Sequence, residues 1–180
     1  MKEISDENII TAMQNPATME RGFSLLMDKY QEPLYWLVRR MTNDHDDAND
    51  VMQNTFVKVF RGFHNYKGDA KLYTWLYRIA SNEAITFINQ RNKKAISSLD
   101  TLPTTYELSA DSYFDGDETQ LLLLNAIAQL PDKQKLVFNM RYYEEMPYEE
   151  MSKILDTSVG ALKASFHHAV KKIEAFVVNK

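Results

Sequence analysis

Apolar residues recur at intervals of three and four along two stretches of this 180-residue chain, and between them the pattern stops. That spacing puts side chains on one face of a helix, whereas a strand needs alternation. No alternating run of useful length occurs, so the sequence predicts an all-α fold. In the first stretch the apolar rows are Phe23, Leu26, Met27, Tyr30, Leu34, Leu37, Val38 and Met41, then Ala48, Val51, Met52, Phe56, Val59, Phe60 and Phe63, then Leu72, Leu76, Ile79, Ala80, Ala84, Phe87 and Ile88. Pro33 inside the first row predicts a kink or break. The acids of Asn43–Asp47 are placed to meet a helix N-terminus. Gly68 punctuates a loop before the third row.

The second stretch starts with Leu121–Leu124, Ile127 and Leu130, ends that row at Pro131, and resumes with Leu136, Val137, Met140 and Tyr143. Pro147 opens a short helix over Tyr148–Leu155, with Glu149 and Glu150 in its first turn. Asp156-Thr157-Ser158 breaks it, and Thr157 or Ser158 can cap the helix that follows. That last helix carries Val159, Leu162, Phe166, Ala169, Val170, Ile173, Phe176 and Val177 on one side.

The interruption has a composition of its own. Residues 96–118 hold six acids and no Lys or Arg, while the flanking blocks are nearly neutral, so the net charge of −4 comes from this segment. The expected organisation is two small helical domains, 10–94 and 119–178, joined by an acidic flexible linker over 95–118. Apolar residues in the linker, among them Leu99, Leu102, Tyr106 and Phe114, suit docking on a partner's surface.

Several function classes drop out. With no cysteine and four scattered histidines, zinc-type spacing is absent. The acidic run from Asp44 fails as a calcium loop, because Asn49 stands where glycine is needed and Thr55 where a bidentate glutamate belongs. No Gly-rich phosphate loop or nucleophile elbow occurs. No enzyme and no cofactor are expected. The chain lacks eighteen consecutive apolar residues and a secretory signal, so no integral membrane segment and a cytoplasmic location are expected.

Three polar faces remain. Opposite the core side of the last helix stand Lys163, Ser165, His167, His168, Lys171 and Lys172. A reading helix in the second half of a helix-turn-helix needs donors for base edges in the middle and cations for phosphates at the flanks. An ordinary surface helix fits the same pattern. Second, Thr74, Arg78, Asn82, Thr86 and Asn89 form a polar row on the helix after Gly68, with Tyr66, Lys67, Lys71 and Trp75 before or along it. Aromatics with cations suit unstacked single-stranded bases, and they also suit core packing. Third, Asp50, Gln53, Asn54, Val57, Lys58 and Arg61 share the outward side of the helix after Asp47, a mixture typical of protein-contact surfaces and of solvated faces alike.

Together, DDANDVMQNTFVKVFRGF, YKGDAKLYTWLYRIASNEA, LPDKQKLVFNMRYYEEMPYEEMSKIL and SVGALKASFHHAVKKI, in this order and spacing, resemble the extracytoplasmic-function (ECF) group of sigma-70 family RNA polymerase sigma factors. The resemblance implies a sigma region 2 helical bundle and a sigma region 4 helix-turn-helix. It implies that Asp50, Gln53, Asn54, Val57 and Arg61 face core RNA polymerase, although the family usually has Glu where Asn54 stands. It implies that the loop His64–Lys71 captures a flipped base of the minus-ten element, with Arg78 and Asn82 contacting that element. The helix carrying Lys163 to Lys172 would read the minus-thirty-five element, with Ser165, His168 and Val170 where many members have arginine. Promoter DNA, core polymerase and an anti-sigma factor are the implied partners. Two other readings fit the residues without the resemblance: a helix-turn-helix regulator acting without polymerase, and a helical module that binds a protein through the apolar linker residues and touches no DNA.

Overall fold

The computed structural model describes residues 4–97 and 118–178. Among them the regular structure is helical: α1 (Asp6–Gln14), α2 (Met19–Thr42), α3 (His45–Gly62), a 3-10 turn at Phe63–Asn65, α4 (Leu72–Ser97), α5 (Glu118–Ala128), α6 (Asp132–Tyr142), α7 (Tyr148–Leu155) and α8 (Val159–Val178). The chain divides into two compact units, Met1–Ala84 and Ile85–Lys180. The division falls inside α4, which runs unbroken past the expected boundary at residue 94. Residues 95–97 and Glu118, expected in the linker, are helical. The rest of the expected acidic linker, 98–117, lies outside the described residues.

In the first unit the expected apolar rows become the core. Leu26, Leu34, Leu37, Val38 and Met41 of α2 are buried, as are Ala48, Val51, Met52, Phe56 and Val59 of α3 and Leu72, Leu76, Ala80 and Ala84 of α4. Asp44 caps α3, its carboxylate accepting from the Asp47 amide at 2.9 Å. Buried Thr55 returns its hydroxyl to the Val51 carbonyl at 2.7 Å, which satisfies the polar atom inside the core. Pro33 does not break α2. It lacks the N–H that would donate to the Lys29 carbonyl, and the buried residues on both sides of it hold the helix together.

α1 is an element the apolar rows did not predict. It buries Ile9 and Met13 and starts with Ser5 as its N-cap. It crosses α2 at Gly22, where an added Cβ would lie 2.7 Å from the Met13 amide nitrogen. Only the absence of a side chain lets the two backbones approach this closely.

In the second unit Ala126, Ile127, Leu130, Phe138, Ala169 and Ile173 form the apolar centre, with Phe166, Val170 and Phe176 packed against it. The Phe166, Phe138 and Tyr142 rings follow one another nearly parallel, at centroid separations of 5.7 and 5.1 Å. Asp156 ends α7 in the left-handed conformation, φ 48°, with its N–H bonded to the Ser152 carbonyl. Ser158 then caps α8, its hydroxyl accepting from the Ala161 amide at 3.3 Å. Those two devices fix a three-residue turn between a short helix and a long one.

Candidate nucleic-acid interface

The outward side of α3 follows from its core side. With Ala48, Val51, Thr55 and Val59 turned in, Asp50, Gln53, Asn54, Lys58 and Arg61 are exposed, and Val57 is 42% exposed among them. Lys58 forms an ion pair with Glu83 of α4. Asn54, Val57, Lys58, Arg61, His64 and Glu83 border one open groove. At the start of this helix His45 is held on both ring nitrogens, by the Tyr35 hydroxyl at 2.7 Å and the Asn49 amide at 3.0 Å. Among the described residues no three metal-ligating side chains cluster.

The loop between α3 and α4 places its aromatics differently from the sequence expectation. Tyr66 was expected as a DNA-contacting residue, yet it is buried at 8% exposure. Its ring lies 5.6 Å from Phe63 and 5.4 Å from Trp75, and its hydroxyl donates to the Ala70 carbonyl at 2.7 Å. The apolar ring is worth more inside this cluster than on the surface. Lys67 and Lys71 are exposed, Gly68 turns the loop at φ +79°, and Trp75 is half-buried. Burial, with a smaller contribution from the Asp6 charge, raises the Tyr66 phenol above its usual range and keeps it a donor.

Along α4, Arg78, Asn82, Thr86 and Asn89 are exposed, but Thr74 is buried at 4% exposure. The reason is geometric. Steps of four residues drift by about 40° around a helix, so Thr74 lies roughly 80° away from Asn82 and turns into the core. Tyr73 and Tyr77 pair at 4.5 Å between centroids, with Tyr77 buried. The outward row therefore begins at Arg78.

On α8, Lys163, His167, His168, Lys171 and Lys172 are exposed, and Ser165 is half-buried. The His167 and His168 rings lie 6.1 Å apart. Two residues outside the expected set join this face. The Arg141 guanidinium lies 5.1 Å and the Lys163 ammonium 5.8 Å from the centre of the Tyr148 ring. A ring quadrupole attracts cations, so Tyr148 gathers two positive charges where α7 begins. Arg141 also donates to the Met146 carbonyl at 3.1 Å, closing the α6–α7 turn. Tyr148 is flanked by Pro147 and two acids, and nothing in that pattern signals a cation platform.

The chain matches two family models. Sigma-70 region 2 matches residues 26–94, and Sigma-70, region 4 matches residues 120–173. Among known proteins, the RNA polymerase sigma-H factor of Pseudomonas aeruginosa is 28% identical over 173 residues, covering 86% of each chain. The ECF RNA polymerase sigma-E factor of Haemophilus influenzae is 25% identical over 183 residues, covering 96% of this chain and 95% of its own. The ECF RNA polymerase sigma-E factor of Escherichia coli (strain K12) is 26% identical over 183 residues, covering 96% and 94%. Two solved structures share the fold at 18% identity. The sigma factor RpoE in complex with the anti-sigma factor NepR from Bartonella quintana has a TM-score of 0.72, covering 86% of this chain and 96% of that one. CnrH in complex with the cytosolic domain of CnrY has a TM-score of 0.71, covering 99% of both.

Proposed function

The chain belongs to the ECF group of the sigma-70 family, and from that premise we propose how its two helical units divide the work. As a sigma factor it binds core RNA polymerase and directs promoter-specific transcription initiation. Sigma factors are non-enzymatic, so this chain supplies contacts and no bond-making chemistry.

In our reading the outward side of α3 docks on core polymerase through Asp50, Gln53, Asn54, Val57 and Arg61. Val57 adds an apolar centre to a polar rim, the usual anatomy of a protein interface. The loop with Lys67 and Lys71, and the α4 row from Arg78 to Asn82, hold the extruded base and unpaired strand of the minus-ten element, with Trp75 at the edge. Unpairing costs a few kcal/mol per base, and pocket and stacking contacts of about 1–3 kcal/mol per base offset it. Strand separation is then driven by binding and needs no ATP.

The exposed face of α8 lies in the major groove of the minus-thirty-five element. Ser165, His167 and His168 meet base edges while Lys163, Lys171 and Lys172 meet phosphates. The acidic segment between α4 and α5 follows a basic channel of the polymerase in this reading, its charge standing in for nucleic acid. An anti-sigma factor is the expected inhibitor, a partner of the kind that RpoE binds in the Bartonella quintana complex, and the cytoplasm is the expected location, since that is where a bacterial polymerase works. No helix among the described residues is long and apolar enough to cross a membrane.

The observation that carries this reading is the order of the two sigma regions along one chain, each with a polar row turned away from its core. It favours a sigma factor over a regulator that works without polymerase. Adding the purified protein to core polymerase should yield run-off transcripts from specific start sites. Assembly with core polymerase that leaves transcription non-specific would overturn it.

A further inference from the structure

Tyr66 was expected to touch DNA and instead lies inside the first unit, which raises the question of what its hydroxyl does there. An all-carbon ring would fill the space between Phe63 and Trp75 equally well. The oxygen is used for one bond, 2.7 Å to the carbonyl of Ala70. That bond ties Tyr66 to Ala70 across Lys67-Gly68-Asp69, whose turn depends on Gly68 at φ +79°. The ring end of Tyr66 is anchored by the aromatic cluster, and its own N–H bonds the Phe63 carbonyl at 2.9 Å. The loop is thus tied to the fixed part of the fold at Tyr66 by three separate contacts, and at Ala70 by the hydroxyl of that same residue.

We propose that Tyr66 is a positioning residue whose hydroxyl clasps the loop and sets how Lys67 and Lys71 are presented to an unpaired strand, without touching that strand itself. The inference rests on the reading of this loop and α4 as the strand-binding face. A loop already held in its binding shape loses less freedom when the strand arrives, and that difference appears as affinity. Lys67 and Lys71 bracket the clasped segment, so a shift of the Ala70 carbonyl moves the second cation relative to the first.

Tyr66→Phe removes the hydroxyl and keeps the ring, so the aromatic cluster stays filled. Trypsin reads the clasp in the free chain, because cleavage after Lys67 or Lys71 needs that segment to open. Cleavage there should become several-fold faster, while cleavage after Lys163 in the second unit is unchanged. In holoenzyme assembled with core polymerase, affinity for a fluorescent single strand carrying the minus-ten element should fall about fivefold, the loss of one hydrogen bond's net worth. Assembly with core polymerase should be unaffected. Unchanged cleavage after Lys67 and Lys71 would overturn the clasp. Faster cleavage with undiminished strand affinity would overturn the positioning role. Arg78→Ala in the same assay separates the two levels of inference. If Arg78→Ala weakens strand binding and Tyr66→Phe does not, only the positioning role fails. If neither does, the reading of this face has failed with it.

Discussion

The Tyr30 hydroxyl donates to the Asp6 carboxylate at 2.7 Å, and the Lys29 ammonium meets the same oxygen at 2.7 Å. One acid in the first turn of α1 is thereby held by two neighbours on α2. Burial alone would raise the Asp6 carboxyl, but the hydrogen bonds from Lys29 and Tyr30 and the Lys29 charge outweigh it and hold it below its usual range. A depressed carboxyl contributes stability above the unfolded-state value of about 3.9, and that stability is lost as pH falls through the folded value. Asp6→Asn should therefore cost about 1 kcal/mol at neutral pH. Below about pH 4 its melting temperature should fall less steeply than that of the unaltered chain. Parallel melting curves down to acid pH would show that this contact carries no stability.

Gly22 and Gly160 make opposite predictions for one substitution. At Gly22 a Cβ meets the Met13 amide at 2.7 Å and the Ala12 carbonyl carbon at 2.9 Å, while at Gly160 it meets nothing within 4 Å. Gly22→Ala should destabilise by about 1–3 kcal/mol by forcing α1 off α2. Gly160→Ala, on the exposed first turn of α8, should stabilise by roughly 0.5 kcal/mol through reduced chain entropy in the unfolded state. Urea denaturation of the two variants checks the pair of signs.

Val57→Asp tests the α3 face. The side chain is exposed, so the fold and melting temperature should hold, because surface changes are usually within about 0.5 kcal/mol. A carboxylate at the apolar centre of an interface should weaken assembly with core polymerase about tenfold or more. Titration of labelled core polymerase measures it, and unchanged assembly would remove α3 from the interface.

On α8 the two kinds of contact separate by salt. Lys171→Ala should weaken promoter binding by holoenzyme uniformly across sequences and reduce the salt slope by about one, as expected for a phosphate contact. His168→Ala should leave the slope alone and change the preference at one base pair, by about 1–3 kcal/mol. Equal effects of the two changes on slope and preference would contradict the assignment of roles along the helix.

Local signals in the chain carried far, and long-range ones did not. The bounds of α7 were readable because Pro147 opens it and Asp156 to Ser158 close it, all within a few residues of the helix itself. The rows on α3 and α8 were readable because a three-four spacing names the buried side and therefore the outward one. α1 lies outside the apolar rows because Ile9 and Met13 are too few for a period, and the groups it packs on, Gly22 and the Tyr30 hydroxyl that donates to Asp6, are distant in sequence. For Tyr66 the sequence leaves strand contact and core packing both open, because a tyrosine beside a lysine in a loop has no period to reveal its direction. Thr74 shares the four-residue spacing of Arg78 and Asn82, but on a helix that spacing traces a spiral, which carries Thr74 into the core. The platform of Arg141, Tyr148 and Lys163 joins three segments, so no window of sequence contains it.

Most residues turned outward on α3, α4 and α8 are exposed and lie outside the buried core. On the proposed assignment of α4 and α8 to promoter DNA, start-site preference can drift, or be rewritten by an engineer, one exposed position at a time while the interior stays as it is. A set of such regulators working side by side in one cell, each deaf to the others' promoters, needs changes only at the skin of a common scaffold.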